Sequence, residues 1–136
     1  MKVDLSYNED GQVVSKIEII PQDIWNVDVT AAHLIAALMK SYVSNYKNNT
    51  IPGSLRKEDA LEYCETSKEK FEVTSYFEND EHWNESLPIV WGRMLKHMLE
   101  GFEKYNDFDA DVDSPKVLHE RRGRELFFRY FENLWD

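Results

Sequence analysis

The chain has 136 residues, 16 Lys and Arg against 26 Asp and Glu, a formal charge of −10, and hydrophobic and aromatic shares of 42% and 13%. That length and apolar content suit one domain with a real core, which argues against a wholly disordered chain. The negative charge disfavours generic binding to phosphate backbones. The longest apolar run, Leu34 to Met39, has six residues, against the ~20 of a membrane span.

Residues 2–7 alternate, with Val3, Leu5 and Tyr7 on one face, and Asn8-Glu9-Asp10-Gly11 is a turn signal. With the β-rich run from Val13 to Ile20, the pattern predicts a hairpin of strands 2–7 and 12–19. A lone hairpin is marginal in water, so this one must pack on helices or pair with another chain. Pro21 ends the second strand. A helix should follow from about Val29 to Lys47, capped by Asp28 or Thr30. Its apolar face is Ala31, Leu34, Ile35, Leu38, Met39, Tyr42, Val43 and Tyr46. Ile51-Pro52-Gly53 is a turn, and a second helix should begin after a Ser54 cap and carry Leu55, Ala60, Leu61 and Cys64. Over 71–77 strand and helix compete, and 79–84 reads as a loop.

The next helix is the clearest. Leu87, Val90, Trp91, Met94, Leu95, Met98, Leu99, Phe102 and Tyr105 form one stripe. Pro88 suits its first turn. Gly92 and Gly101 each cost it about 1 kcal/mol relative to Ala, a cost commonly tolerated where another backbone comes close. After an acidic connector, Ser114-Pro115 starts a last helix that should reach about Leu134. Its stripe is Val117, Phe127, Phe128, Phe131, Leu134 and Trp135, with charged residues where the stripe should continue. The fold class expected is α+β, mostly α: three or four packed helices with an N-terminal β-hairpin. A single domain over 1–136 would divide into a hairpin arm, 1–20, and a helical body, 21–136.

Residues 58–113 hold sixteen acids and five bases and supply the whole charge imbalance. Such a segment reads first as a solvated surface and, more sharply, as an acidic face for a basic partner or a mimic of nucleic acid. Asp109, Asp111, Asp113 and Glu120 fall at positions 1, 3, 5 and 12 of a calcium-loop spacing. Ser114 replaces the glycine at position 6, and Pro115 would start a helix before the loop closed. The four are therefore weak candidates for divalent binding, and no metal site is assigned. His33, His82, His97 and His119 lie in no zinc spacing, and each reads as a surface or partly buried side chain. His97 follows Lys96 on the solvent side of its stripe. Cys64 sits among acids, which should raise its pKa and dull it as a nucleophile. No nucleophile elbow, phosphate-cradling loop or dinucleotide fingerprint occurs, so neither catalysis nor a cofactor is expected. One cysteine and an N-terminus without an apolar run lead us to expect a cytosolic protein.

His119-Glu120-Arg121-Arg122-Gly123-Arg124 is the most distinctive run. Arginine forks bind carboxylate or phosphate through paired hydrogen bonds. Arg121 and Arg124 fall near the apolar stripe and Arg122 faces elsewhere. One reading has Arg121 and Arg124 pairing with the acidic middle segment, including Glu100 or Glu103, to lock two helices. The other makes Arg121, Arg122 and Arg124, with Tyr130 and Trp135 to stack a base, a pocket for an anion or nucleotide. Gly123 would let a ligand or a backbone come close. Tryptophan and arginine are typical interface anchors, so a homo-oligomer is expected.

Three segments in order resemble a group of small bacteriophage and prophage proteins. They are Ile24-Trp25-Asn26-Val27-Asp28-Val29-Thr30, the stretch from Leu95 to Glu103 with Met98 and Phe102, and the aromatic run from Arg124 to Leu134-Trp135. The resemblance covers about half of the chain and departs from the group in the hairpin and in residues 56–82. It implies a phage origin and the bacterial cytoplasm, and it carries no activity or catalytic residue. The expected function is that of a non-enzymatic accessory protein in counter-defence. It would inhibit a host protein through an acidic and aromatic surface or, alternatively, sequester a small nucleotide signal on the arginine-rich helix.

Overall fold

Four helices and a two-stranded antiparallel hairpin build an α+β fold in which helix predominates, as the patterning anticipates. The computed structural model describes residues 1–46, 51–66, 80–105 and 113–134, with backbone only over 80–84. The stretch 71–77, where strand and helix compete, lies outside these residues.

Strands β1 (Lys2–Tyr7) and β2 (Val13–Glu18) pair Val3 with Ile17, Leu5 with Ser15 and Tyr7 with Val13. These pairs share one face because side chains alternate along a strand. Asn8 shapes the turn: its Oδ1 accepts the amides of Asp10 and Gln12 at 3.0 and 2.8 Å. Gly11, at φ +76°, takes the left-handed conformation that closes it. Every residue of both strands is exposed.

Pro21 ends the extended run and opens a 3-10 turn, Pro21–Ile24. Asp23 ties this turn to both sides. Its carboxylate accepts the Ile20 amide at 2.8 Å and pairs with the Met1 ammonium at 2.9 Å, and its carbonyl accepts the Thr30 hydroxyl at 3.1 Å. The Ile20 amide is the main reason its carboxyl is held below the usual carboxylate range.

Helix α1 (Val27–Asn45) starts two residues before the expected point, with Asn26 at the cap position and no side-chain cap bond. Neither proposed cap acts as one. Asp28 accepts the Tyr105 hydroxyl at 2.9 Å instead, and Thr30 turns to Asp23. The buried line is Ala32 and Met39, flanked by Ile35, Ala36, Tyr42 and Val43, while Leu34 and Leu38 face out. The apolar stripe is wider than the surface that α3, its main neighbour among the described residues, covers.

Helix α2 (Lys57–Thr66) buries Ala60, Tyr63 and Cys64. Ser54 does not cap it; its hydroxyl donates to Asn133 Oδ1 at 2.9 Å. Helix α3 (Asp80–Glu103) is longer than its stripe suggests. Residues 80–84, expected as loop, form its first turn. Pro88 therefore lies inside the helix, and its carbonyl accepts the Tyr46 hydroxyl at 3.1 Å. The stripe holds: Val90, Trp91, Met94, Leu95, Met98, Leu99 and Phe102 are all buried. Helix α3 is the centre of the body and packs against α1, α2 and the last helix.

Helix α4 (Pro115–Arg129) begins at the expected cap, with Ser114 accepting the Val117 amide at 3.2 Å, and a short 3-10 turn, Phe131–Asn133, carries the chain on. Its buried line is Gly123, Leu126, Phe127 and Tyr130. The expected stripe needs correction here: Phe128 is 65% exposed and Phe131 61%. Gly123 closely approaches the α3 backbone at His97, and α4 turns Gly123, Leu126 and Phe127 toward it. No helix among the described residues is long and apolar enough to cross a membrane.

Candidate functional site

Two matching segments meet where α3 and α4 cross. His97-Met-Leu-Glu-Gly101 and His119-Glu-Arg-Arg-Gly123 each place a histidine one helical turn before a glycine. A Cβ on Gly101 would lie 2.7 Å from the Arg124 amide nitrogen and 2.8 Å from the Glu120 carbonyl, and one on Gly123 would collide with the His97 carbonyl. Both glycines are there because backbone meets backbone. The helical propensity lost at Gly101 is thereby explained.

The histidines stack above this crossing, with ring centroids 3.8 Å apart and planes at 12°. His97 is 4% exposed, which corrects its expected place on the solvent side. Lys96 beside it is exposed, but α4 covers His97 through the gap Gly123 leaves. His97 Nε2 donates to the His119 carbonyl at 2.7 Å, since a carbonyl only accepts, and Nδ1 then accepts the Tyr63 hydroxyl at 3.1 Å. This arrangement fixes one neutral tautomer. Burial lowers the His97 pKa, outweighing the help of its bond to the His119 carbonyl. His119 Nε2 lies 2.6 Å from a Glu100 carboxylate oxygen. The chain from Tyr63 to Glu100 is a polar spine between three helices. With both His97 nitrogens engaged, that ring presents no lone pair to a substrate.

The three arginines diverge. Arg124 donates to the Gly101 carbonyl at 2.8 Å and lies over the Tyr105 ring at 5.0 Å. Arg122 donates to the Thr66 hydroxyl and lies over the Tyr63 ring at 4.9 Å. Arg121 is exposed. The expectation that Arg121 and Arg124 pair with Glu100 or Glu103 is thus corrected. Glu100 serves His119, and Arg124 is drawn to a carbonyl that the close crossing brings within reach. Arg122, not Arg121, is the second arginine turned inward.

Arg122 and Tyr130 do come together, in a cleft of about 180 Å³ with Asp59, Glu62, Glu125 and Arg129. Arg129 pairs with Asp59 there at 2.9 Å, and Asp59 also holds Arg56 at 3.0 Å. Those arginine contacts, the Arg56 hydrogen bond first, keep the Asp59 carboxyl below the usual range. Tyr130 is buried edge-on to Trp91, and its hydroxyl finds no hydrogen-bond partner among the described residues. Trp135, the other aromatic of the expected pocket, lies outside the described residues. So do Asp109 and Asp111 of the candidate acidic loop. Asp113 is exposed, Glu120 lies 3.9 Å from Lys116, and the described residues hold no cluster of three metal-ligating side chains. Burial pushes the Cys64 thiol up to about 11, with Glu65 adding to the shift. The thiol is dull, as expected, though burial does more than the acids.

A second cavity was not anticipated. Ile35, Leu38, Met39 and Tyr42 of α1 face Phe127, Phe131 and Leu134 across a groove of about 390 Å³. Leu38 stands 68% exposed at its side. The signal was present as surplus: eight apolar positions on the expected face of the first helix, and three phenylalanines within five residues of α4 and the turn after it. No protein-family model, curated protein or solved structure matches the chain.

Proposed function

We propose that this is a non-enzymatic bacteriophage accessory protein of the bacterial cytoplasm, a counter-defence factor that binds and inhibits a host protein. The observation that carries the reading is the apolar groove between α1 and the C-terminal turn, lined by Leu38, Tyr42, Phe127 and Phe131. Aromatic-lined grooves of this kind accept the apolar face of a helix or an extended segment. The chain's charge of −10 selects a target whose apolar anchors are flanked by Lys or Arg. The dull Cys64 and the fully bonded His97 support binding over chemistry. Nucleotide capture has less support. Arg122 and Arg124 are engaged in helix contacts, and the cleft that Arg122 shares with Tyr130 holds three carboxylates against two guanidiniums, which repels phosphate.

Capture from bacterial lysate on wild-type protein and on Leu38→Glu tests the reading. One partner should be retained by wild type and reduced at least ~10-fold on the variant, the loss expected for a hot-spot residue. The purified partner should lose its own activity on adding wild type. Equal recovery on both proteins, or a partner whose activity is unaffected, would overturn it.

A further inference from the structure

We propose that the N-terminal hairpin is a self-association element: two copies pack the apolar faces of their hairpins together into a two-layer, four-stranded sandwich. The register divides the hairpin cleanly. Val3, Leu5, Tyr7, Val13 and Ile17 share one face with Ser15, and these five apolar residues are between 45% and 74% exposed. The other face opposes Lys2 to Glu18 and Asp4 to Lys16, the cross-strand charges of a surface made for water. A hairpin with no layer on its apolar side is marginal, and no layer covers it among the described residues: each of its twelve strand residues is exposed.

A second copy fits that face better than a foreign surface does. The face bears no charge, and its only polar groups are the Ser15 and Tyr7 hydroxyls, so it offers a partner little but flat apolar area. A target chosen by this chain's charge would be recognised by the acidic body instead. Two-fold packing sets each face against its own kind at the ~10 Å spacing of stacked sheets. Burying the face would remove roughly 600 Å² per copy, near the ~800 Å² per partner of a stable interface. Residues 1–20 carry two bases and four acids, only −2 of the chain's −10, so the arms approach with little repulsion. The groove between α1 and the C-terminal turn takes no part, and either surface can stand without the other.

Light scattering on the full chain at tens of micromolar and physiological ionic strength reads the outcome. Wild type should have twice the 16.1 kDa chain mass. Leu5→Asp, on the apolar face, should fall to the single-chain mass with its helical circular dichroism unchanged. Val14→Lys, on the opposite face, should stay at the doubled mass. A monomeric wild type overturns the proposal. So does a dimeric Leu5→Asp, which places the interface elsewhere, and so does a monomeric Val14→Lys, which shows that the two faces are not distinguished.

Discussion

His97 shows how far one side chain's surroundings control its chemistry. Its ring is buried, stacked on His119, and faced by Arg122 and Glu100. The folded pKa lies below the 6.5 of an unfolded histidine, so the unfolded chain takes up the proton first. Stability from this group is therefore full above pH 6.5 and is lost as the pH falls from there toward the folded pKa. The melting temperature of wild type should drop across that interval, and His97→Gln, which carries no titrating ring, should flatten the drop. The lowered carboxyls of Asp23 and Asp59 add their own loss of stability as the pH falls through the carboxylate range, a loss that His97→Gln leaves in place. The arginines give a second contrast. Removing Arg124 deletes a bond to a backbone carbonyl and a stacked ring, so Arg124→Ala should cost about 1–2 kcal/mol in urea unfolding. Arg121→Ala, at an exposed position, should stay within about 0.5 kcal/mol. Equal losses at the two positions would show that the direction of each guanidinium is not what matters.

Among the elements, the crossing of α3 and α4 is held by what is missing from it. Gly101→Ala gains about 1 kcal/mol of helix propensity, yet its methyl would meet the backbone at 2.7 and 2.8 Å, and backbone cannot step aside as a flexible side chain can. Overpacking of this kind costs about 1–3 kcal/mol. Gly101→Ala and Gly123→Ala should both lower the midpoint of chemical unfolding, Gly123→Ala more, because the His97 carbonyl stands closer. A stabilised Gly123→Ala would mean that the helices part freely. The same crossing marks where the sequence becomes hard to read. The α3 stripe was legible because its buried apolar residues, Val90 to Phe102, lie on one period. The burial of His97 was not, because the element that covers it approaches through a glycine, which carries no hydropathy signal. Phe127, Phe128 and Phe131 are alike in hydropathy, but Phe128 sits about 100° round the helix from Phe127, and Phe131 falls in the 3-10 turn beyond α4. The acceptor of Arg124 is a main-chain carbonyl, which no pattern of side-chain types reveals.

Across the molecule, class and element order were legible, since caps, turns and periodicity agree with one another. Surfaces were less so. The apolar groove arises between helices distant in sequence, and its open side is a matter of which neighbour is absent rather than of any one residue's character. Polar clustering in sequence misled in the opposite sense: three arginines within four positions fan out around a helix and share no common target. The hairpin was read correctly as strands, and its need for a covering layer followed from elementary physics, but only the register shows that one face is apolar and the other carries paired charges.

That hairpin adds no residue to the buried cluster of the helices. Its composition is thus insulated from theirs: an altered side chain in the arm leaves the packing of Trp91, Met94 and Met98 as it was. Variation can accumulate at the tip and along both strands without loosening the bundle, so the arm can drift in sequence faster than the scaffold that carries it.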